Sequence, residues 1–153
     1  MKAKDLASYP VVTLERHETI LSASRKMREF HVGVIVIIRK GEEGDIPIGI
    51  LTDRDIVIEA VSRDLPAIST LVSDLMSDDP VCAHENDEIH TVFSLMKENG
   101  IRRIPLVDEQ YHLKGIISLD DLLGVKSLQD IEFSSLPRLQ RNWEREARSS
   151  IES

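Results

Sequence analysis

The sequence predicts an α+β protein made of two copies of one β-α-β-β-α unit, followed by a C-terminal amphipathic helix. Three observations support this fold class: an internal repeat, one amphipathic helical pattern in each copy, and pairs of short apolar runs joined by turns. The chain has 153 residues, of which 41% are hydrophobic and 30% are charged. This balance is typical of a globular protein, and the length suffices to bury a core.

The repeat becomes visible when the chain is shifted against itself by 69 positions near its start, and by 66 positions further along. The difference of three is a change of length in one loop, residues 40–47, whose Gly and Pro indicate a turn. We place the first copy at 4–66, the second at 73–126 and an extension at 127–153. The matched pairs are Asp5/Asp74, Leu6/Leu75, Ser8/Ser77, Val12/Val81, Ile20/Ile89, Met27/Met96, Gly49/Gly115, Ile50/Ile116 and Asp55/Asp121.

Each copy begins with a short extended segment, at 10–14 and 80–83, and continues with a helix whose apolar residues are three and four apart. Asn99 and Gly100 predict the end of the second of these helices. Apolar runs at 32–38 and 48–51, and at 104–107 and 113–117, predict a hairpin in each copy. The predicted apolar helix faces are Ile20, Ala23, Met27 and Phe30 in the first copy, and Ile89, Val92, Phe93 and Met96 in the second.

The extension predicts a helix at 137–151. Trp143, Ala147 and Ile151 are four residues apart, and Pro137 suits a helix start. This helix either covers part of its own domain or packs on a second subunit.

A second helix begins in each copy at a turn of the same form, GILTDRD at 49–55 and GIISLDD at 115–121. Thr52 with Asp55, and Ser118 with Asp121, have capping-box spacing, so each turn could serve only as a helix cap. The retention of the whole pattern in both copies, glycine included, favours a shared binding role as well. A carboxylate at this place can accept both hydrogen bonds of a ribose cis-diol.

Three arginines near these turns suit phosphate binding: Arg54 within the first turn, and Arg102 and Arg103 before the hairpin of the second copy. A helix N-terminus also offers free N–H groups to an anion.

Other classes of function lack their usual features. The net charge of −8 disfavours nucleic acid and anionic lipid as partners. No apolar run approaches the roughly 20 residues of a membrane span, and no signal peptide is visible, which predicts a cytoplasmic location. Cys82 is the only cysteine, and the sequence contains no HExxH, Walker or GxGxxG motif. We predict no catalysis and no metal site.

Several segments in order resemble a tandem pair of CBS domains (cystathionine β-synthase domains, a Bateman module) over residues 4–126: DLASYPVVTL, GVIVII and GILTDRDIV in the first copy, and DLMSDDPVCA, RRIPLVD and GIISLDDLL in the second. The resemblance implies two units packed sheet to sheet with pseudo-two-fold symmetry, two clefts between them, and a homodimer. It also implies adenosine-containing ligands such as AMP, ADP, ATP or S-adenosylmethionine.

By the same resemblance, Asp55 and Asp121 hold ribose hydroxyls, with Thr52 and Ser118 at the ribose–phosphate junction. Arg102 and Arg103 are the implied phosphate contacts of the second turn.

The first copy has the uncharged Gly33 and Val34 at the positions of these two arginines. We therefore expect the second turn to bind phosphate more tightly, and the first to bind it weakly or through Arg54. Thr13, Leu14 and Val34 are candidates for the adenine pocket from the opposite copy, although Val34 could equally belong to the core.

The expected function is a non-catalytic regulatory module that binds an adenosine nucleotide and signals through its conformation or oligomeric state. It requires no cofactor, and AMP, ADP or ATP is the expected ligand. The alternative is a structural or oligomerisation module with empty clefts that binds a protein partner. Ligand-dependent thermal stabilisation distinguishes the two.

Overall fold

A computed structural model describes residues 1–125, so the predicted helix at 137–151 lies outside the described residues. The described chain forms two compact α+β units, which confirms the predicted fold class. The first-copy unit contains residues 10–80 together with 108–113, and the second-copy unit contains 1–9, 81–107 and the described residues from 114 onward. Within residues 1–125 no helix is both long and apolar enough to cross a membrane.

The first-copy unit is built on a four-stranded sheet in the order β1-β2-β3-β4. Strands β1 and β2 are parallel, and the other two pairs are antiparallel. Its elements are β1 (Thr13–Glu15), α1 (Ile20–Phe30), β2 (Val34–Lys40), β3 (Asp45–Thr52), α2 (Asp53–Asp55, continued by π-helical turns at Ile56–Val61), α3 (Val72–Leu75) and β4 (Ser77–Asp78).

The second-copy unit repeats this arrangement with a three-stranded sheet in the order β5-β6-β7. Its first helix ends as predicted, because Gly100 takes the left-handed conformation, with φ 62°, directly after Asn99. Its elements are a 3-10 turn (Ala3–Asp5), β5 (Ala83–His84), α4 (Ile89–Asn99), β6 (Arg103–Val107), β7 (Leu113–Ser118) and α5 (Leu119–Leu123).

The helix faces predicted to be apolar lie in the cores, with one exception. Ile20, Ala23 and Met27 are buried, whereas Phe30 is 52% exposed, so its prediction as a core residue was wrong. Phe30 is the last residue of α1, and the chain turns away at His31 in the left-handed conformation. The apolar face of α1 therefore reaches the core as far as Met27, and Phe30 lies outside it.

The start of each copy packs in the unit of the other copy. We call residues 1–9 and their repeat equivalents, residues 70–78, the leading segments. Ala3 is fully buried in the core of the second-copy unit, and its equivalent Val72 is fully buried in the core of the first-copy unit. The backbone N–H of Ser8 donates to the carbonyl of Ile116 at 2.8 Å, and the equivalent Ser77 pairs with Ile50 in β3. Each leading segment thus extends the sheet of the opposite copy.

The repeated glycines lie directly beneath these segments. A Cβ atom at Gly49 would be 2.5 Å from Sδ of Met76 and 3.0 Å from the carbonyl oxygen of Ser77. A Cβ atom at Gly115 would be 2.8 Å from the ring of Tyr9. Glycine is favoured at both positions because the side chains of Met76 and Tyr9, in the leading segments, lie too close to the place that a Cβ atom would take.

The replacement Gly49→Ala should destabilise the protein by about 1–3 kcal/mol, because the added methyl group pushes β4 away from β3. Urea denaturation measures this loss. Gly124→Ala is the matched control: its Cβ would be 3.7 Å from the nearest atom, an ordinary contact. If both variants unfold at the same urea concentration, the leading segment does not enforce glycine at position 49.

A salt bridge also ties the first leading segment to α4. Nζ of Lys2 lies 2.6 Å from Oε1 of Glu88, the residue before the first turn of α4. The hydrogen bond from Lys2 favours the ionised carboxylate and holds the pKa of Glu88 below its ordinary value.

A lowered pKa makes this contribution to stability depend on pH. It is present above the ordinary pKa of a glutamate, about 4.3, and is lost as the pH falls through the lowered value of the folded state. Glu88→Gln should therefore melt below the wild type at pH 7, and this difference in Tm should shrink as the pH is lowered below the ordinary pKa of a glutamate. Melting curves against pH test this, with Glu98→Gln, an exposed change on the same helix, as the control. A difference that does not shrink with falling pH would contradict the assignment.

Candidate functional site

The turn after β3 is a complete capping box. Oγ1 of Thr52 accepts a hydrogen bond from the backbone N–H of Asp55 at 3.1 Å. The backbone N–H of Thr52 donates in return to Oδ2 of Asp55 at 2.9 Å. Asp55 thus takes the position that glutamate usually occupies in a capping box. The capping role that the sequence left open is confirmed for this turn.

The turn after β7 has the same geometry. Oγ of Ser118 accepts from the backbone N–H of Asp121 at 3.2 Å, and the backbone N–H of Ser118 donates to Oδ2 of Asp121 at 2.7 Å. The Ser118 hydroxyl also donates to Oδ2, at 2.7 Å. Among the described residues, the hydrogen bonds to the Asp121 carboxylate are all accepted by Oδ2. The cap therefore leaves Oδ1 as an acceptor for a further donor.

A second backbone hydrogen bond fixes each turn against the start of its hairpin. The N–H of Asp53 donates to the carbonyl of Gly33 at 3.0 Å, and the N–H of Leu119 donates to the carbonyl of Arg102 at 2.7 Å. This shared contact aligns the two turns residue by residue, with Gly33 matching Arg102 and Asp53 matching Leu119.

The structure places both predicted arginines of the second copy near its turn. Arg102 bonds to the turn through its carbonyl, and its Nη2 lies 3.8 Å from Oδ1 of Asp120. Arg103 is the exposed first residue of β6. Arg102, Arg103, Ser118 and Asp121 thus all belong to the second-copy unit.

The remaining predicted residues belong to the first-copy unit. Val34 lies opposite Thr52 across the β2–β3 hairpin and is half-buried, whereas Thr13 lies opposite Val36. The Thr13 carbonyl accepts a hydrogen bond from Nζ of Lys26 at 2.8 Å. Arg54 is exposed at the second position of α2. Val34 is therefore a direct neighbour of the turn, and Thr13 lies one strand further away.

The structure changes the sequence argument at two points. The repeated glycines count less toward a ligand, because the packing of the leading segments already explains them. Asp53 was not among the predicted binding residues, although its carboxylate lies against Gly33 and accepts from the N–H of Arg54 at 2.9 Å. The sequence did contain this difference: the first turn reads TDRD and the second reads SLDD, so Asp53 stands where the second turn has Leu119.

Nothing in residues 1–125 forms a cluster suited to a metal: no three His, Cys, Asp or Glu side chains lie close enough together to hold an ion.

The two repeated units, their shared turns and their order along the chain define a known family. The CBS domain family matches residues 3–62 and 72–127, and the chain belongs to it. An uncharacterized protein, MK0525, of Methanopyrus kandleri is 36% identical over 122 residues, which cover 80% of this chain and 61% of that protein. The chain thus spans about three fifths of the length of this relative.

Solved structures show the same fold. The CBS domain protein PAE2072 from Pyrobaculum aerophilum, complexed with AMP, matches with a TM-score of 0.74 and 22% identity, over 84% of this chain and 95% of that chain. The CBS domain pair of protein MJ0100, in complex with 5′-methylthioadenosine and S-adenosylmethionine, matches with a TM-score of 0.68 and 24% identity, over 80% and 96% of the two chains. The prediction of a tandem CBS pair is confirmed.

Removing one cap should measure its structural share directly. Ser118→Ala loses the acceptor for the N–H of Asp121 and should cost about 1 kcal/mol of unfolding free energy. Ser94→Ala, an exposed change in the middle of α4, is the control and should cost nothing, since alanine favours a helix. Chemical denaturation of both variants checks this, and an unchanged stability of Ser118→Ala would show that the cap contributes little.

Proposed function

We propose that this protein is a non-catalytic regulatory module whose Thr52/Asp55 and Ser118/Asp121 turns bind adenosine-containing ligands through the ribose. The observation that supports the proposal most directly is the hydrogen bonding of the Asp121 carboxylate. Oδ2 is held by both the backbone and the hydroxyl of Ser118, so the carboxylate is fixed while Oδ1 remains an acceptor. A preorganised carboxylate binds a cis-diol without an ordering cost at the moment of binding.

The basic residues extend this site to a phosphate. Arg102 is tied to the turn through its carbonyl, and Arg103 follows it at the exposed start of β6. Guanidinium groups suit the oxygens of a phosphate. A nucleotide whose ribose bonds to Asp121 would place its phosphate toward these arginines, which favours AMP, ADP or ATP in the second turn.

The adenine would pack against apolar side chains and backbone groups, for which Val34 and Thr13 remain our candidates. Val34 is suited by its partial exposure. The complexes of PAE2072 with AMP and of MJ0100 with two adenosine compounds support this ligand class.

A second candidate function is association through an apolar surface, as a homodimer or with a protein partner. Val57, Val61 and Ile68, all in the segment after the first turn, are 58%, 68% and 74% exposed. Large exposed apolar side chains favour a protein contact. The two functions are compatible, since ligand binding could shift the oligomeric state if the two states differ in affinity for the ligand.

A thermal-shift panel with AMP, ADP, ATP and S-adenosylmethionine tests the proposal. A ligand at about 100 times its Kd should stabilise the protein by about 2.7 kcal/mol, a rise of several degrees in Tm. Asp55→Ala/Asp121→Ala should remove the shift. The control is Asp74→Ala, which removes a similar cap, the bond from the N–H of Leu71 at 3.1 Å, away from both turns. Because all three replacements remove a cap, the quantity compared is the rise in Tm that a ligand causes in each variant, and not the absolute Tm of the variants.

The same samples separate the two candidate functions. A shift that Asp74→Ala keeps and the double variant loses supports ligand binding in the turns. No shift with any compound, together with a molar mass of a dimer by light scattering, would favour the association module and reject the nucleotide site.

A further inference from the structure

The two turns share one backbone and differ in charge. The hydrogen bonds that align them set Gly33 against Arg102 and Asp53 against Leu119. The neighbouring positions pair Val34 with Arg103 and Arg54 with Asp120. These four positions carry no net charge in the first turn and one positive charge in the second.

The carboxylate of Asp53 lies over Gly33. Oδ1 accepts from the N–H of Arg54 at 2.9 Å, and a Cβ atom at Gly33 would lie 3.0 Å from Oδ2. Among the described residues Gly100 is the only glycine with positive φ, so the backbone at Gly33 would accept another residue. A side chain at position 33 would therefore require the Asp53 carboxylate to shift.

The second turn shows the opposite pair. Leu119 is 3% exposed and belongs to the core, which leaves room for a long side chain at position 102, and Nη2 of Arg102 lies 3.8 Å from Oδ1 of Asp120. The first turn thus carries a carboxylate against position 33, whereas the second carries an arginine at position 102 and a buried leucine at position 119.

We propose that Asp53 is a specificity-determining residue that restricts the first turn to adenosine compounds without a 5′-phosphate, while the second turn takes phosphorylated ones. This inference rests on the proposed function, because it takes the region of positions 33 and 102 as the phosphate side of each turn. A phosphomonoester carries a charge of about −1.5 to −2 at pH 7. A carboxylate held close to it repels it, whereas a neutral or cationic 5′ substituent meets no repulsion.

Calorimetry with adenosine and AMP tests this, because the two compounds differ only in the phosphate. Asp121→Ala leaves the first turn intact, and Asp55→Ala leaves the second. The Asp121→Ala protein should bind adenosine at least about tenfold more tightly than AMP, as expected for an exposed like-charge contact. The Asp55→Ala protein should prefer AMP.

Two further variants in the Asp121→Ala background assign the effect to Asp53. Asp53→Asn removes the charge but keeps an oxygen to accept the N–H of Arg54, and it should reduce the preference for adenosine to near unity. Gly33→Arg/Asp53→Leu copies the second turn and should reverse the preference. Higher salt should shrink the discrimination of Asp121→Ala, because screening weakens an electrostatic effect and leaves a steric one unchanged. Melting curves confirm that each variant is folded.

The failures are distinguishable. If neither compound binds the wild type or either single variant, the proposed function is wrong and this inference falls with it. If the compounds bind, but the Asp121→Ala protein binds AMP as tightly as adenosine and Asp53→Asn changes nothing, only the specificity assignment is wrong.

Discussion

One backbone hydrogen bond in each unit ties the start of a helix to the start of the preceding hairpin. The bonds from Asp53 to Gly33 and from Leu119 to Arg102 hold the strand-to-helix turns in place, and the capping boxes complete them. These contacts use backbone atoms and the retained Thr or Ser and Asp, so the two turns share one fold although positions 33 and 102, and 53 and 119, carry different residues. In the proposed function, the ligand preference of each turn can therefore change without a change in its fold.

In the proposed function, the capping carboxylate of Asp121 serves both stability and recognition. Its Oδ2 satisfies the end of a helix, and the proposed site uses Oδ1. A side chain fixed for structural reasons is already oriented for binding. Under this proposal the cap and the ligand site are two uses of one geometry and not competing explanations of the repeated Thr/Ser-x-x-Asp pattern.

The elements that sequence analysis predicted well are those determined by local patterns. Helical spacing placed α1 and α4, Gly100 ended α4, and the order of the repeated segments indicated the family. Contacts between distant residues were not predicted. Nothing local shows that Ala3 and Val72 are buried in the opposite copy, or that Asp53 lies over Gly33. The prediction that Phe30 is buried was wrong because helical periodicity does not reveal which residue of the apolar face lies beyond the core.

The leading segments impose an order on folding during synthesis. Every member of the first-copy core lies between Leu14 and Val72, so this core can assemble while the second copy is still on the ribosome. Ala3 lies earlier in the chain than all of these residues, yet its core includes Leu106 and Ile117 from the second copy. This leading segment can therefore reach its place in the core only after the second copy has been synthesised, and it stays unpaired until then.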